Sequence, residues 1–316
     1  MRASVIAIAA IAVGVLSIRP AAQGRGRGQA PKVARIEQVR DNLYWITEGT
    51  GGPGASNLAV LVADNGVVLV DTKNPGWGSE IDRLIKTVTD KPVTTIINTH
   101  THLDHTGSNP EFPASTEFIV QENTRVNLSK EVCEPLANCG FLSGDKASYL
   151  PKKTFKDRMT VGSGKNRIEL YNFGPAHTNG DAIVVFLAAR TAHFADLFAR
   201  KSLPNIMTTD GGSIIGHLHT LEEAVATFKD IDTVITGHGT SLMSWADFKE
   251  YVQMNHDFVT AAQEGLKSRK KADDVAADIA ATLTQKYAGY TIALAKAKEN
   301  VALVYDDIYR SGRYVQ

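Results

Sequence analysis

The stretch Asn98-Thr-His-Thr-His-Leu-Asp-His-Thr-Gly107 sets His100, His102, Asp104 and His105 within six residues, directly after the apolar run Val93-Thr-Thr-Ile-Ile97. Val93–Asn98 reads as a buried strand, so the polar cluster stands where a sheet ends. Imidazole and carboxylate are ligands that zinc, iron and manganese accept. Nine histidines in 316 residues would seldom place three so close together by chance. Residues two apart on an extended chain point the same way, so His100 and His102 can grip one ion. The chain then turns and presents Asp104 and His105 to a second position nearby.

Other stretches follow in order. Val67-Val-Leu-Val-Asp71 lies upstream; Gly174-Pro-Ala-His177-Thr-Asn-Gly-Asp181, Phe194-Ala-Asp196-Leu-Phe198 and Thr236-Gly-His238-Gly239 lie downstream. His-x-His-x-Asp-His followed by glycine resembles the signature of the metallo-β-lactamase superfamily. The four other stretches resemble, in turn, that family's strand ending in a supporting aspartate, its third-histidine segment, the strand end with its bridging carboxylate, and its last histidine. The resemblance covers roughly residues 40–240.

That resemblance implies an α/β fold: a four-layer αββα metallo-β-lactamase sandwich with a helical C-terminal extension, and metals along one edge between two sheets. It implies that His100, His102 and His177 hold a first metal, that Asp104, His105 and His238 hold a second, and that Asp196 bridges both. Asp71 is expected to accept the outer N–H of a ligating imidazole and fix its tautomer. The implied cofactor is two zinc ions per chain, with iron and manganese as alternatives. Two such cations lower the pKa of a shared water from ~15.7 to near 7 and polarise a carbonyl. Asp104 is the expected catalytic carboxylate, orienting the nucleophile and shuttling a proton.

Departures from the family bear on substrate. Zinc β-lactamases with this histidine set often carry Cys where Asp196 stands and Lys three positions later, where this chain has Ala199 beside Arg200 and Lys201. Asp196 instead resembles lactonases and glyoxalase II-type thioesterases, although the basic C-terminal patch a thioesterase wants for glutathione is not identified. The expected function is an exported dinuclear zinc hydrolase that opens an amide or ester carbonyl, β-lactamase-like first, with lactonase or thioesterase as the alternative. Two rivals come from other classes: a mononuclear iron persulfide dioxygenase and a non-catalytic metal-binding protein.

Bulk properties narrow the partners. The chain carries 34 basic and 34 acidic residues and is 43% hydrophobic. That balance leaves no electrostatic footprint for nucleic acid, so a small-molecule substrate is expected. Arg2, the uncharged stretch Ala3–Ile18 and the small residues up to Ala22 read as a signal peptide, residues 1–22. The stretch is short of the ~20 residues of a spanning helix, so no stable membrane span is expected and the protein should be periplasmic or secreted. Residues 23–32 read as a flexible linker and 33–316 as the folded domain, helical from 246. In an oxidising compartment Cys133 and Cys139 read as a disulfide, the alternative being two ordinary thiols. Oligomeric state is left open.

Strands are expected over Asn42–Thr47, Asn57–Asp71 with a hairpin turn at Asp64-Asn-Gly66, Glu117–Gln121, Ala182–Leu187, Thr191–Ala195 and Thr233–Thr236. Thr154–Leu170 reads as a hairpin around Gly162-Ser-Gly164. Apolar spacing predicts helices over Gly78–Asp90 and Leu221–Ile231. The glycine-rich stretch Glu48–Gly54 resembles the family's substrate flap, and Tyr44 and Trp45 read as core or pocket lining. Asp181 is expected to cap the following strand. His217 and His219 read as rim or surface residues, and His256 as structural. Tyr287 and Tyr290 read as packing, or else as pocket wall or dimer contact.

Overall fold

In the computed structural model, residues 33–49, 56–130 and 142–311 are described. The expected signal peptide and linker, most of Glu48–Gly54, and both Cys133 and Cys139 lie outside the described residues.

The first sheet holds β1 (Ile36–Arg40), β2 (Leu43–Ile46), β3 (Leu58–Ala63), β4 (Gly66–Val70), β5 (Val93–Ile97), β6 (Glu117–Gln121) and β7 (Lys153–Phe155) in sequence order. β1 to β4 run antiparallel, and β4 to β7 parallel. The second sheet runs from β8 (Arg158–Val161) through β9 (Ile168–Tyr171), β10 (Ile183–Phe186), β11 (Thr191–Ala195) and β12 (Thr233–Thr236) to β13 (Met243–Ser244). Its β11–β12 pair is parallel and the others antiparallel.

Period-two alternation sorts the side chains of each strand between two cores. Leu61, Val68, Val70 and Ile97 of the first sheet meet Leu170, Val184, Phe186 and Ile235 of the second. The intervening Leu58, Val60, Val67 and Leu69 turn outward under Ile81, Leu84 and Ile85 of α1 (Gly78–Ile85). On the far side, Ile183, Val185, Phe194 and Val234 carry α4 (Ile214–Thr227), α5 (Trp245–Lys267), α6 (Ala272–Lys286) and α7 (Leu294–Ser311). The layers are therefore α-β-β-α, with a helical extension on one face. Two short helices complete the set: α2 (Leu103–Thr106) and α3 (Glu122–Leu128). Trp45, 2% exposed, lies in the inter-sheet core. Among the described residues no helix is long and apolar enough to cross a membrane.

Three expected elements need correction. Helix α1 stops at Ile85 rather than Asp90, where the Thr87 hydroxyl donates to the Leu84 carbonyl at 2.6 Å and competes with the helix ladder. The Thr154–Leu170 hairpin spans two sheets. Lys153–Phe155 pairs with β6, and only β8 and β9 form the hairpin around Gly162–Gly164. Helix α4 begins at Ile214, not Leu221, because Ser213 caps it by accepting the Gly216 N–H at 2.9 Å. Its first turns carry the polar His217 and Thr220, both buried, which interrupt the apolar spacing. His217 is therefore core rather than rim, 3.4 Å from the Tyr251 hydroxyl, while His219 is exposed as expected.

From Trp245 the chain is helical, opened by a capping box in which Ser244 and Asp247 satisfy each other's backbone. Phe248, Phe258, Ile279, Leu283, Val301 and Val304 share one core with α4 and the second sheet. Tyr287 and Tyr290, 5% and 8% exposed, belong to it, so their role is packing.

Candidate metal centre

The cluster after β5 is built by backbone satisfaction. Asn98 Nδ2 donates to the His105 carbonyl at 3.0 Å and Thr106 Oγ1 to the His102 carbonyl at 3.0 Å, closing the one-turn helix α2. His102 is the extended residue just before that turn. Residues 99–101 bend rather than continue the extended strand, so His100 and His102 converge across that bend and not as neighbours on one strand face, while Asp104 and His105 project from the following turn. His177 comes from the turn before β10. Asp196 comes from the end of β11, and His238 from the end of β12.

Two groups converge: His100, His102, His177 and Asp196, and beside them Asp104, His105 and His238. In the first, His102 Nδ1 lies 3.0 Å from His100 Nε2 and 3.1 Å from His177 Nε2. In the second, Asp104 Oδ2 lies 3.7 Å from His105 Nε2 and 3.4 Å from His238 Nε2. Asp196 faces both. Its Oδ2 stands 3.7 Å from His177 Nε2, and its Oδ1 stands 3.4 Å from His105 Nε2 and 3.2 Å from His238 Nε2.

Partners on the outer ring atoms settle three tautomers. His177 Nδ1 donates to the Asn205 carbonyl at 2.6 Å, and His105 Nδ1 to Asp71 Oδ2 at 2.7 Å. The Thr99 hydroxyl gives its proton to Asp71 Oδ2 at 2.8 Å, so at 3.1 Å it accepts from His100 Nδ1. In their neutral forms all three imidazoles therefore turn an unprotonated Nε2 inward. His105 Nε2 and Asp196 Oδ1 are buried without a hydrogen-bond partner. Lone pairs converging in this way, with orphaned acceptors among them, fit a bound cation better than a hydrogen-bond network.

The electrostatics differ between the groups. Burial, then the neighbouring imidazoles, hold His100 well below the ordinary histidine range, and His177 is lowered likewise. Around His105 burial works downward but is overcome by Asp104, Asp71 and Asp196, which hold it well above that range. Burial pushes the Asp196 carboxyl upward, yet His238 and His105 hold it well below its ordinary value. The negative field that raises His105 is the field that attracts a dication.

Asp71 is fully buried on His105 and Thr99. Asp181 closes the His177 turn by accepting from the Thr178 N–H at 2.8 Å and hydroxyl at 2.7 Å. Burial lifts its carboxyl to about 6. Asp210, on which the sequence reading is silent, places Oδ2 3.4 Å from His102 Nε2, and no local pattern marks it. Backbone constraints aim Asp196. Ala195 has φ 45°, and a side chain at Gly237 would meet the Asp196 carboxylate. Of the two cations after Asp196, Lys201 leaves for Asp247 and Glu250 on α5, and Arg200 points to Glu48 at 3.7 Å, beside His238. His193, held by burial at about 4, His217, His219 and His256 join neither group.

Residues 51–238 match the Metallo-beta-lactamase superfamily profile. The chain belongs to the metallo-beta-lactamase superfamily. Within the superfamily, the solved structure of DIM-1 metallo-beta-lactamase has a TM-score of 0.55 at 20% identity, covering 71% of this chain and 97% of that one. A metallo-beta-lactamase from Pontibacter korlensis gives 0.57 at 18% identity, covering 71% and 99%. The sec-alkyl sulfatase PisA1 gives 0.65 at 15% identity and covers 89% of this chain and 51% of that one. Likeness at these identities is likeness of fold. A curated relative, the 2,4-dinitroanisole O-demethylase subunit alpha of Nocardioides sp. (strain JS1661), is 30% identical over 162 residues, 51% of this chain. The chain thus spans under half of that relative, 45% of its length.

Proposed function

We propose that this superfamily member is a dinuclear zinc-dependent hydrolase that opens the carbonyl of a small ester or amide, a β-lactam or lactone first among them. The observation that carries the reading is Asp196, whose two oxygens face two separate nitrogen groups. His100, His102 and His177 would hold one metal, Asp104, His105 and His238 the other, and Asp196 both. When bound, such a pair supplies hydroxide at neutral pH and stabilises the developing oxyanion. The chain's own contribution is orientation: Asp71, Thr99 and Asn205 fix three imidazoles with their lone pairs inward. Asp104, whose side chain is 21% exposed, is the least buried of the seven and can orient water and pass a proton to the leaving group.

A second reading is favoured by the relative named for O-demethylation, since the same centre can serve an aryl ether. The test is a turnover screen of metal-quantified protein against a chromogenic cephalosporin, a lactone, a thioester, 2,4-dinitroanisole and an alkyl sulfate. Chelator-sensitive turnover of carbonyl substrates is expected. Turnover of the ether alone would establish the second reading. One iron per chain with oxygen uptake on a persulfide would make the protein an oxygenase.

A further inference from the structure

Lys73 is fully buried, three residues past the end of β4, and its φ of 59° follows an equally left-handed Asp71 at 65°. Such backbone is costly for a residue with a side chain and persists only where the surroundings enforce it. Its side chain lies 5.2 Å from the Trp77 ring centre, and Nζ donates to the carbonyls of Thr47 at 2.7 Å, Glu48 at 3.1 Å and Ser56. Carbonyl oxygens only accept, so three such contacts call for the three protons of an ammonium. Burial pulls this group down to about 7, against Glu48, Asp104 and Asp71, which favour its charge. Burying a charge is costly, and an apolar side chain of the same length would escape that cost only by leaving three carbonyls without this donor. The role of the ammonium is to hold those carbonyls.

That role matters because of what the clamped carbonyls belong to. Thr47–Glu48 follows β2 and Ser56 precedes β3, and each of these segments reaches the second ligand group. The Glu48 carboxylate accepts the Gly239 N–H at 2.9 Å and lies 3.8 Å from His238 Nδ1. Ser56 Oγ donates to the Asp104 carbonyl at 2.6 Å. The following Asn57 donates its N–H to the Gly237 carbonyl at 2.7 Å and its Nδ2 to the Thr236 carbonyl at 3.0 Å. On the lysine's own strand end, the Thr72 N–H donates to the His105 carbonyl at 2.8 Å. One ammonium thus ties together the backbones that carry Asp104, His105 and His238. The first group hangs on other supports: Thr99, Asn205 and Asp210.

We propose that Lys73 is a positioning residue for the second metal position, holding Asp104, His105 and His238 in register through the two segments it clamps. This rests on the two-metal reading above. The test is a cobalt(II) titration of chelator-stripped full-length protein, read by visible absorption, with zinc competition against a chromophoric chelator. Wild type, Lys73→Met and His238→Ala are compared. Wild type should fill two sites, and Lys73→Met should keep the first affinity while losing about 10–100-fold at the second, the usual effect of removing an outer support. Unchanged affinities in Lys73→Met, or equal losses at both sites, would overturn the proposal. A single site in wild type that His238→Ala leaves intact would overturn the two-metal reading, and the proposal with it. If Lys73→Met does not fold, Ser56→Ala decides: a smaller loss confined to the second site is expected, and unchanged affinity at both sites would refute the role.

Discussion

Replacing Asp196 with alanine is expected to cut hydrolysis roughly a thousandfold, since one metal's charge stabilisation amounts to several kcal/mol and each 1.36 kcal/mol is tenfold in rate. The effect is this large because Asp196, alone among the carboxylates of the described residues, faces both groups, 3.7 Å from His177 on one side and 3.2 Å from His238 on the other. Its removal leaves three imidazoles at the first position and Asp104 with two imidazoles at the second, each short of one anionic oxygen. Metal content should fall together with turnover. Asp196→Asn retains the shape but loses the charge, and it should recover little activity. Steady-state rates and metal analysis of both variants check this. A loss below tenfold with two metals retained would show that Asp196 does not bridge.

Truncation after Lys270 is expected to abolish cooperative melting. Val275, Ile279, Leu283, Val301, Val304 and Ile308 are all buried, and each contributes about 1.5–3 kcal/mol by burial. Their combined loss is as large as the roughly 5–15 kcal/mol of net stability of an ordinary fold. The cut also removes three polar ties. Asp307 accepts from the Ser213 hydroxyl at the start of α4 at 2.7 Å, and Asn300 donates to the Pro204 carbonyl at 3.0 Å. Lys296 donates to the Asn205 side chain at 3.0 Å, next to the carbonyl that holds His177. Helix α7 therefore supports the segment that orients the first group, and any folded fraction should be poor in metal. Calorimetry of the truncated chain checks this. An unchanged melting temperature with altered substrate preference would mean that the extension acts as a lid.

The dense cluster His100 to His105 was legible in the sequence by itself, whereas His177, Asp196 and His238 became legible only through the resemblance to the family. His100, Asp196 and His238 each come just after a buried apolar run, and a strand end is aimed by the whole sheet. Asp71 became legible through the same resemblance. What stayed hidden is set by contacts distant along the chain. Asp210 reaches His102, and the backbone carbonyl of Asn205 orients His177, neither with a local pattern of its own. Lys73 carries no local signal either, since its three carbonyl partners converge from residues 47, 48 and 56. The start of α4 was misplaced because its first turns bury His217 and Thr220, which break an apolar count. The change of sheet between Phe155 and Arg158 has no sequence mark, since either sheet accepts the same apolar alternation.

The central claim, two metals bridged by Asp196, is tested most directly by the metal-to-protein ratio of purified chain, measured for wild type and for His238→Ala under the same loading. Two metals per wild-type chain, falling to one in the variant, is the expected result. One metal per wild-type chain, unchanged by His238→Ala, would contradict it.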